Sequence, residues 1–135
     1  MESGSIKDLF KYRFGKARST ITIAKTLYES GNYGFALNRA YYSAFDAMRA
    51  VNALDGFDSS KHSGVIAHFN QEYVKNGEFP PTTSAIIRKA SRLREKSDYE
   101  DFYEPDKEET EDIIFEVETF LKDTEAYLRS QGVIE

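Results

Sequence analysis

Residues 33–54 read YGFALNRAYYSAFDAMRAVNAL, and their spacing decides the class of fold. Leu37, Tyr41, Ala44, Met48 and Val51 follow one another at steps of four, three, four and three. That rhythm draws one apolar stripe along an α-helix and cannot be laid on a strand, whose faces alternate every second residue. Ala40 and Phe45 widen the stripe, as expected of a central helix that touches several neighbours. Asp55-Gly56 ends the stretch after Leu54.

The same rhythm extends in both directions. Upstream, Phe10, Phe14, Ala17, Ile21, Ala24 and Tyr28 mark a first helix from about Ile6 to Glu29, stopped by Ser30-Gly31-Asn32. Downstream, Ser59-Ser60 can cap a third helix that runs to about Lys75 on Val65, Ile66, Phe69 and Tyr73, with Asn76-Gly77 closing it. After Pro80-Pro81, Thr82 or Thr83 can cap a fourth, whose thin apolar side of Ile86, Ile87, Ala90 and Leu93 predicts partial exposure. Asp98 to Pro105 is aromatic and acidic without a helical period and reads as a packed loop. Asp106 and Glu109 have capping-box spacing for a last helix to about Arg129, built on Ile113, Val117, Phe120, Thr124 and Tyr127. No stretch sustains a two-residue alternation. The chain is all-α, a bundle of about five helices.

At 135 residues the chain has the size of one domain, with a core expected over about residues 5–130. It has no Cys, so disulfides, thiolate catalysis and Cys-ligated zinc are excluded. No apolar run approaches the ~20 residues that span a bilayer. Met1 to Ser5 lacks the pattern of a signal peptide, so a cytoplasmic location is expected. The net charge of −5, from 23 acidic against 18 basic residues, argues against broad binding to duplex nucleic acid, which leans on phosphate neutralisation. A local basic site remains open, because residues 88–96 carry Arg88, Lys89, Arg92, Arg94 and Lys96 ahead of an acidic run over 98–118.

Three groups of residues could carry chemistry. Arg39, Tyr42, Asp46 and Arg49 form a polar stripe on the second helix. It reads either as a surface ladder of Arg–Asp pairs or as a groove where guanidinium forks hold phosphate. Lys61, His62, Ser63 and Gly64 open the third helix, where backbone N–H groups can take an anion or the same residues can simply cap. Arg94, Asp98 and Tyr99 close the fourth helix. Asp98 could lock Arg94 there with Tyr99 packed beneath, or Arg94 could take a phosphate while Tyr99 stacks on a base. His62 and His68 are the only histidines and point about 120° apart on a helix, so neither a metal site nor a cofactor is predicted. No Gly-rich phosphate loop and no Ser–His–Asp arrangement occurs.

Asn38-Arg39-Ala40-Tyr41-Tyr42 through Ala50, then Lys61-His62-Ser63-Gly64-Val65-Ile66, then Arg92-Leu93-Arg94 through Tyr99, in this order and at these separations, resemble the HEPN domain (higher eukaryotes and prokaryotes nucleotide-binding). They are most similar to its small stand-alone bacterial and archaeal branch of uncharacterised proteins. The resemblance covers roughly residues 5–130. It implies an up-and-down four-helix bundle with a short extra helix, often a homodimer. It also implies kinship with toxins encoded beside a small nucleotidyltransferase. Ribonuclease members carry an Arg, four to six residues, then a His. Here Arg94 is followed at the fourth position by Asp98, and no His occurs after His68. The resemblance therefore implies a module that binds a nucleotide, RNA or a partner protein with its ribonuclease motif degenerate. The alternatives are a metal-independent endoribonuclease toxin using Arg94 with Asp98 or His62, and a structural dimerisation domain. Arg39, Tyr42, Arg49, Arg94 and Tyr99 are expected to converge on one cleft with a positive excess over Asp46 and Asp98, and loss of Arg39 or Arg94 is expected to cost little stability.

Overall fold

The computed structural model describes the backbone of residues 3–134 and the side chains of residues 7–134. The reading of Met1 to Ser5 as free of a leader pattern rests partly on Met1 and Glu2, which lie outside the described residues. Five α-helices follow one another: α1 (Ser3–Glu29), α2 (Tyr33–Asn52), α3 (His62–Phe69), α4 (Pro81–Tyr99) and α5 (Lys107–Ser130). No strand occurs among the described residues, and none of the helices is long and apolar enough to cross a membrane.

The four long helices form the bundle, and α2 is its centre, packed against α1, α3, α4 and α5. Its buried face is made largely of small residues: Ala36, Ala40, Ser43, Ala44, Ala47 and Ala50. Small side chains let neighbouring backbones come close. Ser43 accordingly donates from its hydroxyl to the Ala17 carbonyl of α1 at 2.6 Å. At the α2–α4 crossing, a Cβ on Gly34 would stand 2.7 Å from Ser97 Oγ. Larger residues then fill the space between helices, with Phe69, Phe79 and Phe120 meeting edge to face.

Helix ends follow local chemistry. Gly31 takes φ +83°, and the amides of Gly31 and Asn32 return to the carbonyls of Tyr28 and Leu27. This closes α1 in a Schellman turn that a β-carbon would strain. Asp106 accepts from the Glu109 amide at 2.8 Å, as its spacing predicts for the start of α5.

Three local readings are corrected. α3 begins at His62, and Ser59 instead accepts from the Lys61 amide in the preceding loop. Its α-winding stops at Phe69 and continues to Val74 as a single π turn. That wide turn keeps Tyr73 buried beside Phe69 while its hydroxyl donates to Asp55. Neither Thr82 nor Thr83 caps α4: Pro81 takes the first helical position, where a missing N–H costs nothing, and Thr83 is buried. α4 also runs on to Tyr99, so the loop begins at Glu100; in it Tyr103 packs against the core as expected, while Phe102 is 98% exposed.

Candidate functional site

The last turns of α4 lie across the first half of α2, and the first residue of α3 abuts the same place. Arg94 is the centre of this junction. It is only 7% exposed, and its guanidinium lies 4.8 Å from the ring centre of Tyr41, 5.8 Å from Tyr42 and 6.0 Å from Tyr99. Aromatic faces attract a cation, and more so where water is excluded. Arg94 Nη1 reaches Asp98 Oδ2 at a long 3.5 Å, one helical turn on. Its Nε is buried without a hydrogen-bond partner.

Asp98 Oδ2 also accepts from Asn38 at 3.1 Å. Asn38 Oδ1 in turn accepts twice from Arg39, at 2.9 and 2.6 Å. Arg39 lies 5.2 Å over the outer ring of the cluster, Tyr42. Two guanidiniums therefore share one phenol ring, and Asp98 is the one carboxylate hydrogen-bonded into the group, with Glu95 at 4.0 Å from Arg94. A cavity of about 540 Å³ opens beside Asp98, lined by Tyr33, Gly34, Phe35, Ser97 and Tyr103 among others. That volume falls in the range of small-ligand sites.

His62 joins from α3. Its Nδ1 is 2.8 Å from the Tyr41 hydroxyl, and its ring stacks on Phe45 at 4.4 Å. Burial, and then the charge of Arg94, lower its pKa, so the imidazole is neutral at neutral pH. Burial pushes the Tyr41 phenol up to about 12, which keeps it a neutral hydrogen-bonding group.

The structure thus brings together Asn38, Arg39, Tyr42, His62, Arg94, Asp98 and Tyr99. It does not bring Arg49 to them. Arg49 turns toward the loop before α3 and donates to Asp58 at 3.1 Å. Nor do Arg39, Asp46 and Arg49 form a surface ladder, because Asp46 is 8% exposed and holds no ion pair with either. Lys61 and Ser63 are exposed beside His62. Tyr99 is 74% exposed and flanks Arg94 instead of packing beneath it. With Arg49 elsewhere, the expected excess of three guanidiniums over two carboxylates shrinks to Arg39 and Arg94 around Asp98.

Tyr41 was legible only as a core position, since its number falls on the apolar stripe; nothing in the spacing told that its hydroxyl would meet His62. Arg13 and Asp58 carried no signal at all. Arg13 precedes Phe14 at the edge of the α1 stripe, and Asp58 sits in a loop with no period. Among the described residues no three His, Asp or Glu side chains are grouped to hold a metal ion.

Residues 10–127 of this all-helical bundle match the HEPN domain. The chain belongs to the HEPN domain family. A Methanocaldococcus jannaschii protein named putative toxin is 33% identical over 119 residues, covering 88% of this chain and 81% of that one. A second protein of that organism with the same description is 36% identical over 105 residues, 78% of each chain. A UPF0332 protein of Thermotoga maritima is 33% identical over 113 residues, covering 84% of this chain and 86% of the relative. The crystal structure of TT1696 from Thermus thermophilus has the same fold, with a TM-score of 0.74 and 16% identity over 88% of this chain and 98% of that one.

Proposed function

We propose that this chain is a toxin-like HEPN module that binds a nucleotide or RNA phosphate at the α2–α4 junction. The observation that carries the reading is Arg94, a buried guanidinium held on tyrosine faces with an orphaned Nε and only long contacts to carboxylates, Asp98 at 3.5 Å and Glu95 at 4.0 Å. An arginine used merely as a clamp would be expected to satisfy its fork, since a buried unmade donor costs about 1–3 kcal/mol. Here Asp98 is the internal anion that an incoming phosphate would displace or join. Tyr99 and Phe35, both exposed at the rim, supply faces on which a base can stack, at about 1–3 kcal/mol per base. The names of the two M. jannaschii relatives favour a toxin-like role.

The test is titration of a fluorescent single-stranded RNA and of AMP against the parent chain, Arg94→Lys and Tyr99→Ala. Binding that weakens at least tenfold in Arg94→Lys and falls with added salt supports the reading. Equal binding by all three proteins would remove it. We further propose that the working unit is a homodimer with a small nucleotidyltransferase as partner. Light scattering at micromolar concentration should then give about twice 15.5 kDa.

A second reading has its own support in the Tyr41–His62 contact. It sets an imidazole beside Arg94, where it could move a proton in metal-independent RNA cleavage without the histidine missing after Arg94. Cleavage of labelled RNA in EDTA that His62→Ala abolishes would favour it over simple binding. An RNA left intact by the parent chain would exclude it.

A further inference from the structure

The far half of α2 carries a second polar cluster, which the α2–α4 junction does not use. Arg13 of α1 and Arg49 of α2 both donate to one atom, Asp58 Oδ1, at 2.9 and 3.1 Å. Arg13 is itself buried, with its other terminal nitrogen given to the Arg49 carbonyl at 3.3 Å. Arg49 keeps a buried Nε with no hydrogen-bond partner. Asp46, buried on the same helix face, holds no ion pair, yet the charges of Lys16, Arg49, Arg39 and Arg13 all reach it. Arg13 and Arg49 therefore act on both Asp58 and Asp46, in a protein whose net charge is −5.

Two rigid guanidiniums from different helices, converging on a single oxygen, have the geometry of an oxyanion clamp. The anion now in it is the exposed side chain of Asp58, in the connection between α2 and α3. Its pair with Arg49 is solvent-accessible, worth about 0–1 kcal/mol, and in its part-buried pair with Arg13 the carboxylate itself faces water, 61% exposed. The grip is therefore weak enough to exchange. The arginines differ from the aspartate in exposure, their side chains being 10% and 27% exposed against 61% for Asp58.

We propose that Arg13 and Arg49 form a second anion site, which takes a phosphate group in exchange for the Asp58 carboxylate. This site does not depend on Arg94 for its existence. It stands ten residues along α2 from Arg39, about 15 Å at the helical rise. A mononucleotide at one site leaves the other open, whereas a strand of a few nucleotides can occupy both.

Inorganic phosphate is the first probe, titrated into the isotope-labelled full chain while NMR follows the Arg13, Arg49 and Arg94 signals. Phosphate should shift Arg13 and Arg49, and Asp58→Ala should tighten that binding about fivefold, the equivalent of the competing carboxylate contacts it removes. Arg49→Ala in the Asp58→Ala background should abolish it, and Arg94→Lys should leave it unchanged. AMP and a single-stranded tetranucleotide are run in parallel. A shift of Arg49 by AMP assigns the clamp to a terminal phosphate, and a shift by the tetranucleotide alone assigns it to a strand phosphate. Phosphate affinity in Asp58→Ala that is unaffected by Arg49→Ala, or no shift of Arg13 and Arg49 in either protein, overturns the proposal. Failure of the Arg94 reading would show instead as shifts at Arg49 with none at Arg94.

Discussion

Replacing Arg94 by Ala separates structural from ligand-binding use of one side chain, and the structure gives the size of the effect. The guanidinium faces Tyr41 at 4.8 Å in a nearly dry setting, with Tyr42 and Tyr99 farther away and more exposed. A desolvated cation–π contact contributes about 2 kcal/mol and an exposed one about 0.5–1, so the three together give about 3 kcal/mol. The Asp98 pair, partly buried but long at 3.5 Å, adds about 1 kcal/mol. Against this, deletion relieves the orphaned Nε, worth about 1–3 kcal/mol. The net loss is about 1–3 kcal/mol, larger than expected for a residue off every apolar stripe. For a domain of this size that is a fall in Tm of about 4–12 °C. Thermal unfolding followed by circular dichroism reads it directly. Arg94→Lys should recover less than half, because an ammonium cannot lie flat on Tyr41. A Tm within a degree of the parent would refute the claim that the guanidinium is anchored on these rings.

Asp106→Ala should cost about 1 kcal/mol in urea unfolding, because it removes the acceptor for the Glu109 amide at the start of α5. Tyr41→Phe should cost about 1 kcal/mol and move the His62 titration, which NMR can follow, whereas the remote Tyr73→Phe should leave it in place. His62, its pKa lowered by burial and then by Arg94, binds its proton more readily in the unfolded chain. Stability should therefore fall as pH drops below about 6.5, and His62→Gln should flatten that part of the curve. Asp58 titrates in the opposite sense to a raised group: hydrogen bonds from Arg49 and then Arg13 hold its pKa down. Its contribution is present above about pH 4 and lost as pH falls through the lowered folded-state value, so the parent and Asp58→Asn should converge in stability as the solution is acidified.

The fold was legible because it rests on repetition. Leu37, Tyr41, Ala44, Met48 and Val51 are all buried, as the four-and-three steps require, and Asp106 caps where its spacing predicts. Where the reading failed, a non-periodic interaction had won. Ser59 had a closer amide to satisfy in its own loop, and Pro81 left Thr83 nothing to cap. The site was half legible for the same reason. Arg39, Tyr42 and Arg94 were visible as polar positions on helices, but spacing along one helix does not say which neighbour a side chain turns toward. Arg49 lies on the same stripe as Arg39, yet it turns to Asp58.

That divergence follows from the role of α2. Its alanines bring α1 and α4 close on different flanks, and each flank then determines what its outward-leaning polar residues meet. Near the start of α2 the partner is the end of α4, so Asn38 and Arg39 are drawn into the Arg94 and Asp98 group. Near its end the partners are α1 and the loop before α3, so Arg49 is drawn to Arg13 and Asp58. Asp46 lies between and is near cations of both ends, so its titration can report on both. Burial raises its pKa in spite of four nearby positive charges, so an anion entering either cluster, by cancelling part of that positive field, should raise it further. A carboxyl titration of Asp46, followed by NMR with and without phosphate, should therefore move upward when either site fills. An unmoved titration would mean that the two clusters act independently.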